Sequence, residues 1–294
     1  MDVAVTALGP MSWGTAYVVI SELLPPDHPL FTAVVRALPV GLLMLLFART
    51  LPRGSWWWRS AVVGMANIGV FFPAVYLAAD RLEAGLAATL SATVPLAVIG
   101  TGRIVLRTRP RAVEVVAAVI GLCGVALLVL RQSAPVDVVG VAGAAAAVVS
   151  AAWGIVLIKR WGQPVGSVAF TAWQLVWGGL VLLPLTLAFE GAPSELDAGA
   201  VVGFAYLAVV VTGLGYVVWF RGIGLLQPVA VSTLVLLTPL VGTASGVVVN
   251  GEAFGPFHAS GTALILVGVV LGQPVLRRQL RGLVSARRLG DRAA

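Results

Sequence analysis

Long apolar segments alternate with short polar connectors along the whole chain. Ten of these segments approach the length of about 20 residues that a helix needs to cross the hydrocarbon core of a bilayer. They cover approximately residues 3–21, 29–48, 60–79, 84–105, 112–130, 138–158, 167–188, 198–219, 226–248 and 257–276. The connectors contain most of the charged residues. The pattern predicts an all-α integral membrane protein with ten transmembrane helices.

The composition supports a membrane location. Of the 294 residues, 59% are hydrophobic and only 11% are charged, whereas a soluble domain has about 25% charged residues. The mean hydropathy is +1.00. A net charge of +7 is compatible with nucleic-acid binding, but the basic residues lie between apolar segments instead of on one face, so no nucleic-acid partner is predicted.

The positions of the basic residues predict the orientation. If the N-terminus is cytoplasmic, 16 of the 19 Lys and Arg residues fall on the cytoplasmic side, as the positive-inside rule requires. The first 20 residues lack the basic leader and cleavage site of a signal peptide, and we expect them to remain as the first helix. The prediction is a multi-pass protein of the cytoplasmic membrane with both termini in the cytoplasm.

Short motifs recur in the same order 139 to 144 residues apart. They are Trp13-Gly14 with Trp153-Gly154, Phe31-Thr32-Ala33 with Phe170-Thr171-Ala172, LSATVPL at 90–96 with LVLLTPL at 234–240, and Gly124-Val125 with Gly268-Val269. The motifs predict two five-helix repeats at 1–132 and 137–277. The basic tail that follows at 278–294 is expected to lie against anionic headgroups, with disorder as the alternative. Because five is odd, the second repeat enters the membrane from the opposite face, and such inverted repeats are typical of secondary transporters.

These motifs together resemble the EamA-type branch of the drug/metabolite transporter superfamily. GEAFG at 251–255 and ALILVGVVL at 263–271 add to the resemblance, which covers about residues 3 to 277. It implies a central cavity lined by helices one to four and six to nine. It implies peripheral fifth and tenth helices that can form a homodimer contact, and export or exchange of amino acids and other small metabolites. Glu252 departs from the internal symmetry, because the equivalent segment of the first repeat reads RTRPR.

Arg36 is the clearest candidate for solute binding. It lies about seven residues into the second predicted helix, and a charge inside a membrane span is costly enough to indicate a functional role. A guanidinium there can bind a carboxylate or phosphate with two hydrogen bonds. The alternative is that Arg36 reaches outward to water or pairs with an acidic residue such as Asp27.

Uncharged polar and aromatic residues on the same helices are further candidates. Asn67 and Gln174 can hydrogen-bond a solute or, equally, a neighbouring helix. Large aromatic residues can stack on a solute, or can be core residues or interface anchors. They are Trp13, Tyr76, Trp153, Trp173, Trp177, Tyr216 and Trp219. The segment Trp56 to Arg59 instead predicts an aromatic belt at the cytoplasmic interface.

Two prolines near mid-membrane are candidate hinges. Pro95 and Pro239 each remove a backbone hydrogen bond and permit a bend. Thr93 and Thr238 can bind the carbonyl groups that this leaves free, or can contact the solute.

The sequence thus predicts a secondary transporter that moves a small metabolite, an amino acid or a related compound, by alternating access, with export as the preferred direction. Its partners are this solute and membrane lipid. The alternative is an integral membrane enzyme acting on a lipid or other membrane substrate. His28 and His258 are expected at the surface and the sequence contains no catalytic motif, so no catalytic residue, metal or cofactor is predicted.

Overall fold

All regular structure in the described part of the chain is helical, which confirms the predicted all-α class. The computed structural model describes residues 1–26, 28–82, 84–129, 137–250 and 255–274. Asp27, Glu252 and the predicted tail at 278–294 lie outside these ranges.

The helices follow the predicted segments but several segments are divided. The first repeat contains α1 (Asp2–Leu23), α2 (Pro29–Ala48), α3 (Trp56–Gly64), α4 (Phe71–Arg81), α5 (Ala84–Ser91), α6 (Val94–Val105) and α7 (Ala112–Val129). The second contains α8 (Val138–Trp161), α9 (Ser167–Phe189), α10 (Ala198–Tyr206), α11 (Gly215–Leu225), α12 (Pro228–Leu234), α13 (Leu237–Asn250) and α14 (Pro256–Gly272).

Eight segments in the described residues are long and apolar enough to cross a membrane. The predicted fifth and tenth spans correspond to α7 and α14, which are apolar but are not among these eight. Ten membrane crossings therefore remain a prediction, although an apolar helix occupies each predicted position.

The fourth span of each repeat is interrupted next to its repeated proline. The interruption falls at Ala92 and Thr93 before Pro95, and at Val235 and Leu236 before Pro239. Proline has no N–H group to continue the helical hydrogen-bond pattern. The repeated sequence motif therefore corresponds to a repeated break in the helix.

The third span of each repeat contains a π-helical segment, which the sequence analysis did not predict. Segment π1 (Met65–Gly69) joins α3 to α4, and segment π2 (Leu207–Leu214) joins α10 to α11. Gly69 and Gly213 lie 144 residues apart near the ends of the two segments. The irregularity is thus part of the internal repeat.

One end of the bundle brings together several basic connectors. Arg221, late in α11, forms an ion pair of 2.9 Å with Asp2 at the start of α1. Lys159, late in α8, donates to the Gly224 carbonyl oxygen at 2.9 Å. Trp173, early in α9, donates from Nε1 to the carbonyl oxygen of Thr50, just after α2, at 2.7 Å. This end is called the basic end below.

At the other end of the bundle, acidic side chains connect neighbouring helices. The Glu190 carboxylate, just after α9, accepts hydrogen bonds from the backbone N–H groups of Leu30 and Phe31 at the start of α2. Arg81 lies 3.7 Å from Asp137, and hydrogen bonds from two backbone N–H groups at the start of α8 lower the pKa of the Asp137 carboxyl. At the basic end the start of α9 lies beside the end of α2, and at the other end the end of α9 lies beside the start of α2. These two second spans are therefore antiparallel.

The last helices of the two repeats, α7 and α14, pack against each other within one chain. A Cβ atom added to Gly124 would lie 2.7 Å from the backbone nitrogen of Ile265, and one added to Gly268 would lie 2.8 Å from that of Gly121. Glycine at these positions permits the close approach of the helix backbones. These glycine-rich faces are therefore buried inside the monomer.

Candidate functional site

The two π segments meet the first span of the opposite repeat near the centre of the bundle. In π2, the carbonyl oxygen of Val211 accepts a hydrogen bond from Trp13 Nε1 at 3.2 Å. In π1, the carbonyl oxygen of Ala66 accepts one from Ser150 Oγ at 2.6 Å. A π segment disturbs the regular helical hydrogen bonds, and such segments frequently occur at functional sites. Each one here receives a side-chain donor from the other repeat.

The second spans make matching polar contacts with the same segments. Arg36 Nε on α2 donates to Thr212 Oγ1 in π2 at 2.8 Å. Asn67 Nδ2 in π1 donates to Gln174 Oε1 on α9 at 2.7 Å. Each pair joins the second span of one repeat to the third span of the other. The two pairs are therefore related by the pseudo-symmetry of the fold.

The two pairs differ in charge and in remaining hydrogen-bonding capacity. Asn67 and Gln174 are both buried and uncharged, and they bond one another, which is the interhelical alternative for both residues. Arg36 is only 8% exposed and carries a full positive charge. In the ranges that the structure describes it forms no ion pair, and its one hydrogen bond is the one to Thr212. Its sequence-based alternative partner, Asp27, lies outside those ranges.

An aromatic wall of Phe72, Tyr216, Trp13 and Trp219 begins at the Arg36 guanidinium. Its central carbon lies 4.9 Å from the centre of the Phe72 ring, close enough for a cation–π interaction. The Phe72 ring in turn lies 6.4 Å from that of Tyr216. Trp13 contacts both Tyr216 and Trp219 at 5.1 Å between ring centres. Three of the predicted aromatic candidates are thus brought together and connected to Arg36 through Phe72.

A separate cavity of about 310 Å³ lies at the basic end. Its walls include Thr50, Arg53 and Trp56 from the first repeat and Pro164, Val165 and Trp173 from the second. Trp56 points inward and contacts Phe170 at 5.9 Å between ring centres, so the prediction that it forms part of an interface belt is wrong for this residue. Trp57 and Trp58 are exposed, as a belt requires.

The remaining predicted residues lie outside the aromatic wall or at its edge. Tyr76 contacts Phe72 at 6.5 Å between ring centres. Trp177 Nε1 donates to Ser60 Oγ at 3.1 Å and so joins α9 to α3. Trp153 is 40% exposed and makes no ring contact with another described residue. The structure therefore does not give Trp153 the surroundings of its sequence counterpart Trp13.

The hinge-region candidates make backbone contacts. Thr93 Oγ1 donates to the carbonyl oxygen of Leu90 at 2.6 Å, within the interrupted helix. Thr238 Oγ1 donates to the carbonyl oxygen of Pro10 at 3.1 Å and so joins α13 to α1. Neither acceptor is the carbonyl four residues before Pro95 or Pro239, so the two predicted roles of Thr93 and Thr238 stay predictions.

The sequence did not identify Phe72, Ser150, Thr212 or Trp56 as residues of a functional site. Thr212 and Ser150 are polar residues within apolar runs, and this signal could have identified them as it identified Asn67 and Gln174. Phe72 and Trp56 have no comparable signal, because their roles depend on which rings lie beside them in the folded chain.

Comparison with known proteins identifies the relatives of this chain. Residues 3–130 and 138–272 each match the model of the EamA-like transporter family. The chain is 37% identical to Protein PecM of Dickeya dadantii over 268 residues, which cover 90% of each chain. It is 25% identical to the uncharacterized inner membrane transporter YedA of Escherichia coli K12, over 88% of this chain and 86% of that protein. The double match confirms the internal repeat.

Two further comparisons cover function and fold. A probable amino-acid metabolite efflux pump of Salmonella typhimurium is 34% identical over 107 residues, covering 33% of this chain and 36% of the pump. A crystal structure with 20% sequence identity superposes with a TM-score of 0.80, covering 95% of this chain and 98% of the other. This last likeness shows the fold alone.

Proposed function

Because the chain belongs to the EamA-like transporter family, within the drug/metabolite transporter superfamily, we propose that it moves a small carboxylate-bearing metabolite, such as an amino acid, by alternating access. Its relatives are transporters and not enzymes, so the chain is a membrane transporter with a small-molecule solute.

The buried Arg36 guanidinium is the observation that carries the proposal. An unpaired charge in a low-dielectric interior is costly, and no carboxylate in the described residues offsets this cost. The Nε atom is engaged with Thr212, which orients the group and leaves the two Nη atoms for a ligand. A carboxylate matches a guanidinium in charge and geometry and can accept two hydrogen bonds from it.

The aromatic wall supports a solute with an apolar body next to its carboxylate. The Phe72 ring lies against the guanidinium, and Tyr216 and Trp13 extend the aromatic surface away from it. Aromatic side chains offer large apolar contact area with few rotatable bonds, so they bind at a low entropic cost. We infer that Arg36 binds the acidic group and that these rings contact the remainder of the solute.

The arrangement of the two repeats supports alternating access. Each repeat anchors the π segment of the other by one contact from its first span and one from its second. If the two repeats exchange conformations, the site between them opens first to one side and then to the other. The interruptions near Pro95 and Pro239 supply bending points in equivalent helices.

Orientation, direction and assembly complete the proposal. We place the basic end and both termini in the cytoplasm, with ten crossings of the cytoplasmic membrane and surrounding lipid as the second partner. Export is the proposed direction, in line with the name of the Salmonella relative. A homodimer through the fifth and tenth helices would use their exposed residues, such as Val116 and Val267, because their glycines face each other within one chain.

Flux measurements on Arg36 variants test the proposal. Purified protein in liposomes is screened against amino acids, each paired with the amine that lacks the carboxylate. We expect flux of at least one acid but not of its paired amine. In Arg36→Ala, kcat/KM for that acid should fall at least about tenfold, the effect of losing one hydrogen bond to a charged group. Arg36→Lys should recover only part of the loss, since lysine cannot bind a carboxylate with a planar pair of donors.

Arg160→Ala is the matched control, because Arg160 is an exposed arginine at the end of α8. It should transport at the parental rate. Equal flux of acid and amine, or a fully active and folded Arg36→Ala, would show that Arg36 does not select the solute.

A further inference from the structure

An unbroken series of aromatic contacts connects Arg36 to the cavity at the basic end. The Phe72 ring lies over the Arg36 guanidinium and contacts Tyr216. Tyr216 contacts Phe220 at 5.3 Å, and Phe220 contacts Phe170 at 6.1 Å in an edge-to-face arrangement. The series ends in the cavity wall, where Phe170 contacts Trp56 at 5.9 Å and Trp173 at 6.4 Å.

The cavity has the same kinds of side chain as the surroundings of Arg36, an arginine beside aromatic rings. It combines one arginine, Arg53, with two indole rings, Trp56 and Trp173. Arg53 is exposed and forms no ion pair with another described residue. The indole N–H of Trp173 is already bonded to the Thr50 carbonyl oxygen, so this ring is fixed in orientation, and its exposed edge is part of the cavity wall.

We propose that this cavity is a second binding site for the transported solute, where an anion with a flat apolar body binds at the basic end before it reaches Arg36. The inference rests on the proposed function and deepens it, because it adds aromatic character to the solute. Arg53 would bind the acidic group, while Trp56 and Trp173 contact the ring.

The dimensions of the cavity limit its occupant. A volume of about 310 Å³ is at the lower end of the range for small-molecule pockets. This volume fits one compact ring system with a short acidic chain. Phe170 and Phe220 are both fully buried between the cavity and Arg36, so passage between the two sites requires these rings to separate.

Protection of an engineered cysteine measures occupancy of the cavity directly. Val165→Cys is introduced into a Cys123→Ser background, since Cys123 is exposed and would react. Maleimide labelling is followed with and without indole-3-acetate, a flat aromatic anion. We expect the probe to slow labelling at least about fivefold, an effect that Arg53→Gln should abolish at the same probe concentration. Thr50→Cys serves as a second reporter if Val165→Cys does not fold.

Two controls separate this site from the one at Arg36. Protection should persist when Arg36→Ala is added, because that variant removes only the other site. Tryptamine, which has the same ring but a positive charge, and acetate, which lacks the ring, should not protect. Protection that disappears with Arg36→Ala, protection that survives Arg53→Gln, or the absence of protection would each overturn the proposal, whatever the flux measurements show.

Anionic phospholipid is the other source of the same chemistry at a membrane surface. The labelling is therefore repeated in nanodiscs of phosphatidylcholine and of phosphatidylglycerol without the probe. Equal rates in the two lipids support a site for a free solute. Slower labelling in phosphatidylglycerol would assign the cavity to a lipid headgroup and overturn the solute assignment.

Discussion

At the scale of single residues, the repeated Trp-Gly pair is explained more by its glycine than by its tryptophan. A Cβ atom at Gly14 would lie 2.6 Å from the carbonyl oxygen of Thr238. At Gly154 the added atom would meet the side chain of Asn67, which is bonded to Gln174. In both repeats the glycine permits a close contact between spans, whereas only the first tryptophan joins the aromatic wall.

Gly14→Ala should therefore destabilise the protein. The obstacle is backbone, which cannot rotate away as a flexible side chain can, so we expect a loss of about 1–3 kcal/mol in the free energy of unfolding, the usual cost of overpacking. The measurement is the thermal unfolding midpoint in detergent.

Gly100→Ala is the matched control, because Gly100 is also helical and an added Cβ would meet no atom within 4 Å. Its midpoint should be unchanged or higher, since alanine favours the helix by about 1 kcal/mol. Equal midpoints for the two variants would contradict the close contact at Gly14.

The sequence predicted part of the site at this scale and missed part of it for a physical reason. Arg36, Asn67 and Gln174 could be selected because polar groups inside apolar spans are costly and therefore rare. That Asn67 bonds Gln174, and that Arg36 bonds Thr212, depends on the packing of helices more than 100 residues apart. Trp153 was selected by sequence symmetry, which does not require equivalent packing.

At the scale of elements, the two interrupted helices are the clearest match between motif and structure. Proline lacks a donor whatever its surroundings, yet α1, α2 and α9 continue through Pro10, Pro39 and Pro184. The bends near Pro95 and Pro239 could be predicted because these two prolines also recur in the repeated motif. The π segments could not, because no residue type specifies them and they depend on donors such as Trp13 and Ser150 from other helices.

Replacing either proline should slow transport without weakening solute binding. In Pro95→Ala and Pro239→Ala the new amide can bond the carbonyl four residues earlier, which stiffens the span at its bend. We expect turnover to fall about tenfold, corresponding to a rise of about 1.4 kcal/mol in the barrier to conformational exchange. KM should change less than about twofold, because neither substitution removes a group that binds the solute in the ground state.

The control for this pair is Pro39→Ala, since α2 continues through Pro39 without a break. It should leave turnover at the parental value. A large rise in KM, or full turnover in both variants, would count against a hinge role. Flux in liposomes over a range of solute concentrations provides both constants.

At the scale of the whole molecule, the difference between the two ends of the bundle predicts that two connectors lie on opposite sides of the membrane. Ser55 follows α2 near the basic end, and Ser194 follows α9 near the end that carries Glu190. Cysteines placed at these exposed serines in a Cys123→Ser background can be labelled in intact cells with an impermeant maleimide. We expect Ser194→Cys to react in intact cells and Ser55→Cys to react only after permeabilisation, since positive connectors stay inside.

Labelling of both cysteines from the same side would contradict the antiparallel arrangement of α2 and α9. Labelling from opposite sides in the reverse sense would keep that arrangement but invert the proposed orientation. The two results are distinct, so the experiment tests the topology and the charge argument separately.

The hydrogen bonds that each repeat donates to the π segment of the other repeat bear on whether one repeat can function alone. Each irregular segment obtains its donors from the opposite half of the chain. A five-helix fragment expressed alone would lose these side-chain donors, and each carbonyl group would forgo a hydrogen bond in surroundings with no water to replace it. The halves are thus mutually dependent, and a lone half could regain what it lacks only by associating with a second polypeptide that supplies the missing donors.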